Sequence, residues 1–196
     1  MKGDKTMKET IIKLLKSTNR EGIDDLIAYM EDNGFFDAPC SGNHHLAQVG
    51  GLAEHSLNVY DLAMQLYDTF GGEDVINVSP ESVIICALLH DLGKMGQYGK
   101  PNYVENVLKS GKVSGSQPYK TNPDLQYIDH EIRSIAIASK YIELTEDEQF
   151  AIIYHNGLYG NLRYAISGKE TPLYMIIHFA DMWASRVIEV DEGGDE

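Results

Sequence analysis

Apolar positions recur at helical spacing through most of the chain. Ile11, Ile12, Leu14 and Leu15 follow Thr6-x-x-Glu9, and Ile23, Leu26, Ile27 and Met30 follow Thr18-x-x-Glu21. Each Thr-x-x-Glu reads as a capping box, in which the two side chains satisfy backbone N–H groups that a helix start leaves unpaired. Two N-terminal helices are predicted, the second stopping near Gly34. A third is predicted from Gly51 or Leu52 through Leu57, Leu62 and Leu66 to Phe70, with Gly71-Gly72 ending it. Ser79-Pro80 offers an N-cap followed by proline at the first helical position. The run VIICALLHDLGK after it is apolar all round, which predicts a central buried helix with Gly93 as its stop. Asp129 to Ile142 is helical again. Thr145-x-x-Glu148 caps a helix that reaches His155 and stops near Gly157, and Thr171-Pro172 opens the last one, LYMIIHFADMWASRVIEV.

The period is lost in two places. Residues 35–50 are irregular, and from 95 to 127 glycine, proline, lysine and tyrosine dominate, with a short hairpin predicted from Val104 to Val113 around Ser110-Gly111. A connection this long inside a compact domain usually carries function. The expected fold is all-α: one helical bundle of about seven helices, with the 95–127 insertion, residues 1–33 packing on a core of 34–190, and a disordered acidic tail at 191–196.

Composition narrows the classes. The 196 residues are 43% hydrophobic and 23% charged, ordinary for a globular protein. No run approaches the length of a membrane span, and MKGDKTMKET lacks the apolar core of a signal peptide. Two cysteines, Cys40 and Cys86, are too few for a disulfide framework, so a reducing cytoplasm is expected. The net charge of -14 gives no basic face for double-stranded nucleic acid or an anionic membrane. A chain this acidic that handles phosphates needs a local source of positive charge, such as a bound metal.

Certain residues do not suit their surroundings. His90 and Asp91 close an apolar helix, and Asp181 sits inside MIIHFADMW. A buried carboxylate is costly unless paired, and the only cations near these two in sequence are Lys94 and Arg186. Several histidines accompany them, and a divalent metal accounts for the whole set better than ion pairs. Neighbours on a helix point about 100° apart, so His90 and Asp91 can grip one ion from two directions at the negative end of their helix. His155 is placed in the same way. The bland alternatives are a structural ion pair at the doublet, a bridge from Asp181 to Arg186 or Arg163, and a core role for His55. His44 and His45 either line a pocket mouth or sit in a loop, and His178 reads as a core residue or one that supports a ligand from behind. Tyr98, Tyr103, Tyr119 and Tyr127 either stack on a base or pack the insertion.

The order of His55, the doublet His90-Asp91 in LLHDLGK and Asp181 in HFADMWAS, with HHLAQVGGLAEHSLNVY around the first histidine, resembles the HD-domain superfamily of metal-dependent phosphohydrolases. The resemblance covers about residues 34 to 190 and implies that these four residues bind metal. His130 and His155 fall where the superfamily's binuclear branch carries two further histidines, which implies a second metal with Asp91 as the bridge. That branch includes HD-GYP cyclic-dinucleotide phosphodiesterases and symmetrical diadenosine tetraphosphate hydrolases. The Gly-Tyr-Pro signature is absent here, which lowers the cyclic-dinucleotide reading. The implied activity is cleavage of a phosphomonoester or phosphodiester of a nucleotide-like small molecule through a metal-activated hydroxide, the cofactor being one or two divalent ions of iron, manganese, nickel or zinc. Lys94 would stabilise developing charge, and Lys94, Arg133 and Arg186 would contact the substrate. Two other readings stand beside it: a di-iron oxygenase, which uses the same ligand set, and a non-catalytic nucleotide-binding module, against which the full ligand set argues.

Overall fold

The structure is a computed structural model that describes the backbone of residues 2–161 and 163–190, and side chains from residue 7 onward. Eight α-helices run in order: α1 Lys2–Ser17, α2 Ile23–Asp32, α3 Gly51–Thr69, α4 Glu73–Ile76, α5 Pro80–Leu89, α6 His130–Ala138, α7 Glu146–Tyr154 and α8 Pro172–Trp183. The all-α reading holds. Seven of the helices have nine residues or more, and the described strands are two of three residues each. No described helix is long and apolar enough to cross a membrane. The expected acidic tail at 191–196 lies outside the described residues.

Helix α5 is the axle. Val83, Ile85, Cys86, Ala87, Leu88 and Leu89 are all buried, as the all-round apolar run required. α1, α3, α7 and α8 pack against it, and α3 also meets α8. Ser79 caps α5 by accepting from the Ser82 N–H. The Thr145–Glu148 capping box is formed in full. Glu148 does more than cap: its carboxylate takes two bonds from Arg20, at 2.7 and 2.9 Å, and one from the Ser82 hydroxyl, tying α7 to the α1–α2 turn and to α5.

Some boundaries differ from expectation. Helix α1 begins before Thr6, so Thr6 does not cap it. Thr18 closes α1 rather than opening α2: its hydroxyl donates to the Leu15 carbonyl, and the N-cap of α2 is Gly22 at φ 82°. A side chain at Gly22 would run into the Tyr141 carbonyl, so close approach and left-handed backbone both demand glycine. α6 ends at Ala138, four residues short of Ile142. Gly93 does not stop α5, which ends with His90 as C-cap; Gly93 lies in a 3₁₀ turn, Leu92–Met95. Its bare Cα lets that turn lie on α6, where a Cβ would overlap the His130 carbonyl oxygen and come 2.8 Å from Arg133 Cβ.

The insertion hairpin is longer than predicted. β1 Tyr103–Glu105 pairs antiparallel with β2 Tyr119–Thr121, Tyr103 opposite Thr121. The Val104–Val113 prediction captured only the tip, where Val107 bridges Val113 around Gly111 at φ 80°.

Candidate metal centre

Six side chains from five elements converge at one end of α5. His55 projects from α3, His90 and Asp91 from the end of α5, His130 from the first residue of α6, His155 from the C-cap of α7 and Asp181 from α8. Asp91 stands between two pairs of histidines. Its Oδ2 lies 3.4 Å from His55 Nε2 and 3.5 Å from His90 Nε2. Its Oδ1 lies 3.1 Å from His130 Nε2 and 3.5 Å from His155 Nε2. Asp181 joins the first pair, with Oδ1 3.2 Å from His55 Nε2. No arginine lies within ion-pairing distance of it among the described residues, so the bridge to Arg186 or Arg163 is not formed.

All four rings are turned the same way. Nδ1 of His90 donates to the Ala87 carbonyl at 2.9 Å, Nδ1 of His155 to the Ile152 carbonyl at 2.7 Å, Nδ1 of His55 faces Glu189 at 2.9 Å, and Nδ1 of His130 faces Glu131 at 3.4 Å. In the neutral ring with the proton on Nδ1, the form that ligates a metal, each Nε2 presents a lone pair inward. These lone pairs then meet head to head: Nε2 of His55 and His90 are 3.2 Å apart, and those of His130 and His155 are 3.4 Å apart. Asp91 Oδ1, fully buried, receives no hydrogen bond. Opposed lone pairs and an orphaned carboxylate oxygen are what a cation between them would satisfy. The residues fit a divalent metal, and His55–His90–Asp91 and Asp91–His130–His155 each bring their ligand atoms within 4.8 Å of one another.

Comparison with known proteins agrees. The HD domain family model matches residues 52–181, about two thirds of the chain. The chain belongs to the HD-domain superfamily of metal-dependent phosphohydrolases. It is also 31% identical over 97 residues to a dihydroneopterin 2',3'-cyclic phosphate phosphodiesterase of Methanocaldococcus jannaschii. That alignment covers 48% of this chain and 37% of the relative, so the chain spans only part of that protein's length. No solved structure matched the chain significantly.

Opposite charges are packed closely in this HD site. Burial alone would raise Asp91, but the Lys94 ammonium 2.6 Å from Oδ2 and the surrounding histidines outweigh it and hold the carboxyl well below the usual range. Burial likewise acts against Asp181, and His55 overcomes it. His55 is held well above the ordinary imidazole value: its burial is outweighed by Cys40, Asp181 and Glu189. Burial pushes His45 down to about 4, with His55 and Lys94 adding to the effect, and raises the Cys40 thiol to about 11.

A cavity of about 590 Å³ opens onto the HD cluster, lined among others by His44, His45, Lys94, Tyr159, His178 and Arg186. His44 and His45 sit in the irregular 35–50 loop and line this cavity, so both readings hold. Arg186 lies at the rim with its guanidinium 4.9 Å from the centre of the Tyr159 ring. His178 donates from Nδ1 to the His155 carbonyl at 2.7 Å, and a Cβ on Gly157 would strike its ring. Arg133 is seated elsewhere. Its guanidinium donates to the Gln97 side-chain oxygen and the Gln126 carbonyl, and it lines a second cavity formed by the insertion.

Sequence reasoning missed Glu189, Glu131 and Asn156. Glu189 is buried, faces His55 and is itself held by Asn58 Nδ2 at 2.9 Å. Eight residues of α-helix would turn it about 80° from Asp181. The chain passes instead through a π-helical stretch, Ala184–Ile188, whose wider turns rotate each residue less and bring Glu189 back over the site. No sequence pattern announces a π turn. Asn156 Nδ2 bonds Glu131 at 2.6 Å, which steadies the carboxylate beside His130.

Proposed function

We propose that this protein is a binuclear metal-dependent phosphohydrolase that cleaves a phosphoester of a nucleotide-like small molecule. The observation that carries the reading is the division of the Asp91 carboxylate, one oxygen to each histidine pair. His55, His90, Asp91 and Asp181 would hold one ion and His130, His155 and Asp91 the other. Metal bound there supplies an activated water and a clamp for phosphoryl oxygens. The protein's own part is positioning. Lys94 reaches the cavity from within the cluster, where its ammonium can donate to a phosphoryl oxygen and offset charge built up in the reaction. Arg186, held against Tyr159, places a second cation at the rim for the remainder of the substrate.

The name of the archaeal relative favours a cyclic phosphodiester of a ring-bearing alcohol as the substrate class. A reducing cytoplasm suits the two cysteines, both buried and free.

Elemental analysis of protein purified without chelator, paired with hydrolysis of 2',3'-cyclic phosphates under nitrogen, tests the proposal. Two metal equivalents falling to about one in His130→Ala/His155→Ala, together with oxygen-independent turnover, is the expected result. One equivalent in both proteins removes the second ion. Turnover that requires O₂ replaces the hydrolase with the di-iron oxygenase.

A further inference from the structure

The second cavity, about 650 Å³, shares no lining residue with the first. At its base is Arg133, only 2% exposed. A guanidinium has five N–H donors. Here two bonds are made, both to neutral carbonyl-type oxygens: 3.0 Å to Gln97 Oε1 and 2.8 Å to the Gln126 carbonyl. The Nε–H is buried with no acceptor. Among the described residues no carboxylate lies within ion-pairing distance of this charge. Scarcity of acids is not the reason, since the chain has 30 carboxylates against 16 lysines and arginines. A buried cation left without a counter-ion is costly, and folds ordinarily pair it.

The surroundings complete a recess suited to an anion. Lys100 also lines the cavity, its ammonium held against the Asp124 main-chain carbonyl at 2.7 Å, and Lys140 lies over the Tyr98 ring. Asp124 is the one acidic lining residue, against two cationic ones. Tyr98 and Tyr127 line the cavity with 73% and 70% of their surfaces exposed, so each has a ring face free to stack. The tyrosines of the insertion thus divide: Tyr103 and Tyr119 belong to the strands, and Tyr98 and Tyr127 flank Arg133.

We propose that the cavity over Arg133 is a binding site, separate from the metal centre, for the phosphate of a small aromatic phosphoester such as a nucleoside monophosphate. The phosphate takes the unused guanidinium donors and Lys100, and the ring lies against Tyr98 or Tyr127.

Calorimetric titration of the metal-loaded protein with adenosine monophosphate, and with inorganic phosphate alone, tests this. Wild type should bind two equivalents of the nucleotide, one at each cavity, and Arg133→Gln only one. Lys100→Ala and Tyr98→Ala should weaken the second site about tenfold while leaving hydrolysis at the metal centre unchanged. Tyr98→Ala should affect the nucleotide but not inorganic phosphate. These two exposed positions keep the test decisive if Arg133→Gln does not fold. One equivalent in wild type that Arg133→Gln, Lys100→Ala and Tyr98→Ala all leave unchanged overturns the proposal. So does a second equivalent that survives Lys100→Ala and Tyr98→Ala unweakened, or an Arg133→Gln protein that is merely less stable with both equivalents retained; Arg133 would then be only a clamp on the insertion.

Discussion

Glu189 lies 2.9 Å from His55 Nδ1, on the far side of the imidazole from the Nε2 that faces Asp91 and Asp181. A carboxylate in that position fixes which nitrogen carries the proton and makes the other a better metal ligand. Removing it should therefore act through the metal. Glu189→Ala is expected to weaken metal affinity by about 10- to 100-fold, with Glu189→Gln recovering part of it, because the amide still accepts from Nδ1–H. Competition with a metal-sensitive dye measures this; affinity equal to wild type in both variants would sink the role.

Lys94 is tied to Asp91 at 2.6 Å yet also lines the open cavity. Lys94→Met is expected to lower kcat by about 10²-fold or more, the scale of losing one donor aimed at developing charge, while the metal content stays that of wild type. Unchanged turnover would leave Lys94 with a purely structural part.

Gly93 allows the turn after His90-Asp91 to rest on the α6 backbone. Gly93→Ala forces a methyl group into the His130 carbonyl. The cost should be about 1–3 kcal/mol, as for overpacking generally, read as a lower Tm. Because the displaced element begins with His130, any metal held through that residue should be lost first. A variant with wild-type Tm and metal content would show that the turn can yield freely.

The Arg20–Glu148 pair sets an acid limit on the fold. Burial works to raise Glu148, but Arg20, the Thr145 N–H and the Ser82 hydroxyl outweigh it and lower its pKa below the ordinary 4.5. The folded value is depressed, so the stabilisation is fully present above the unfolded value and fades as pH falls below 4.5 through the folded one. Glu148→Gln removes the charge partner of the half-buried Arg20, which keeps its bond to the Glu143 carbonyl, and should cost about 1–3 kcal/mol near neutral pH. It should also flatten the dependence of stability on pH below 4.5. Chemical denaturation at pH 7, 4.5 and 3.5 checks this; parallel curves for the two proteins would contradict it.

Much of this molecule could be read from the chain. The apolar run from Val83 had to be buried on all sides, and the polar pair at its end had to be compensated, so α5 and its doublet were legible together. So were the capped starts at Ser79, Thr145 and Thr171, because a cap is a local arrangement of a few residues. Thr18 shows the limit of that signal: the same Thr-x-x-Glu spacing serves the helix behind it, since Gly22 is needed where Tyr141 presses in from a distant part of the chain. Arg133 read as a substrate ligand because it lies one turn beyond His130, but a helix turn does not say which neighbours wait there, and Gln97 and Gln126 come from the insertion. Glu189 was illegible for a different reason, since its place depends on a π turn that no pattern of residues records.

Arg133 also bears on how this chain tolerates change. It holds Gln97 and Gln126 at once, residues close to the two ends of the insertion, so the stretch between them is a loop whose two ends are already fastened side by side. Lengthening or trimming a loop with fixed ends costs little, roughly 0.6 kcal/mol for each doubling. Residues 98–125 are in that sense an interchangeable cassette: the scaffold that carries the six clustered side chains stays fixed while the segment above it is exchanged, giving a route by which one metal centre acquires different ligands without being rebuilt.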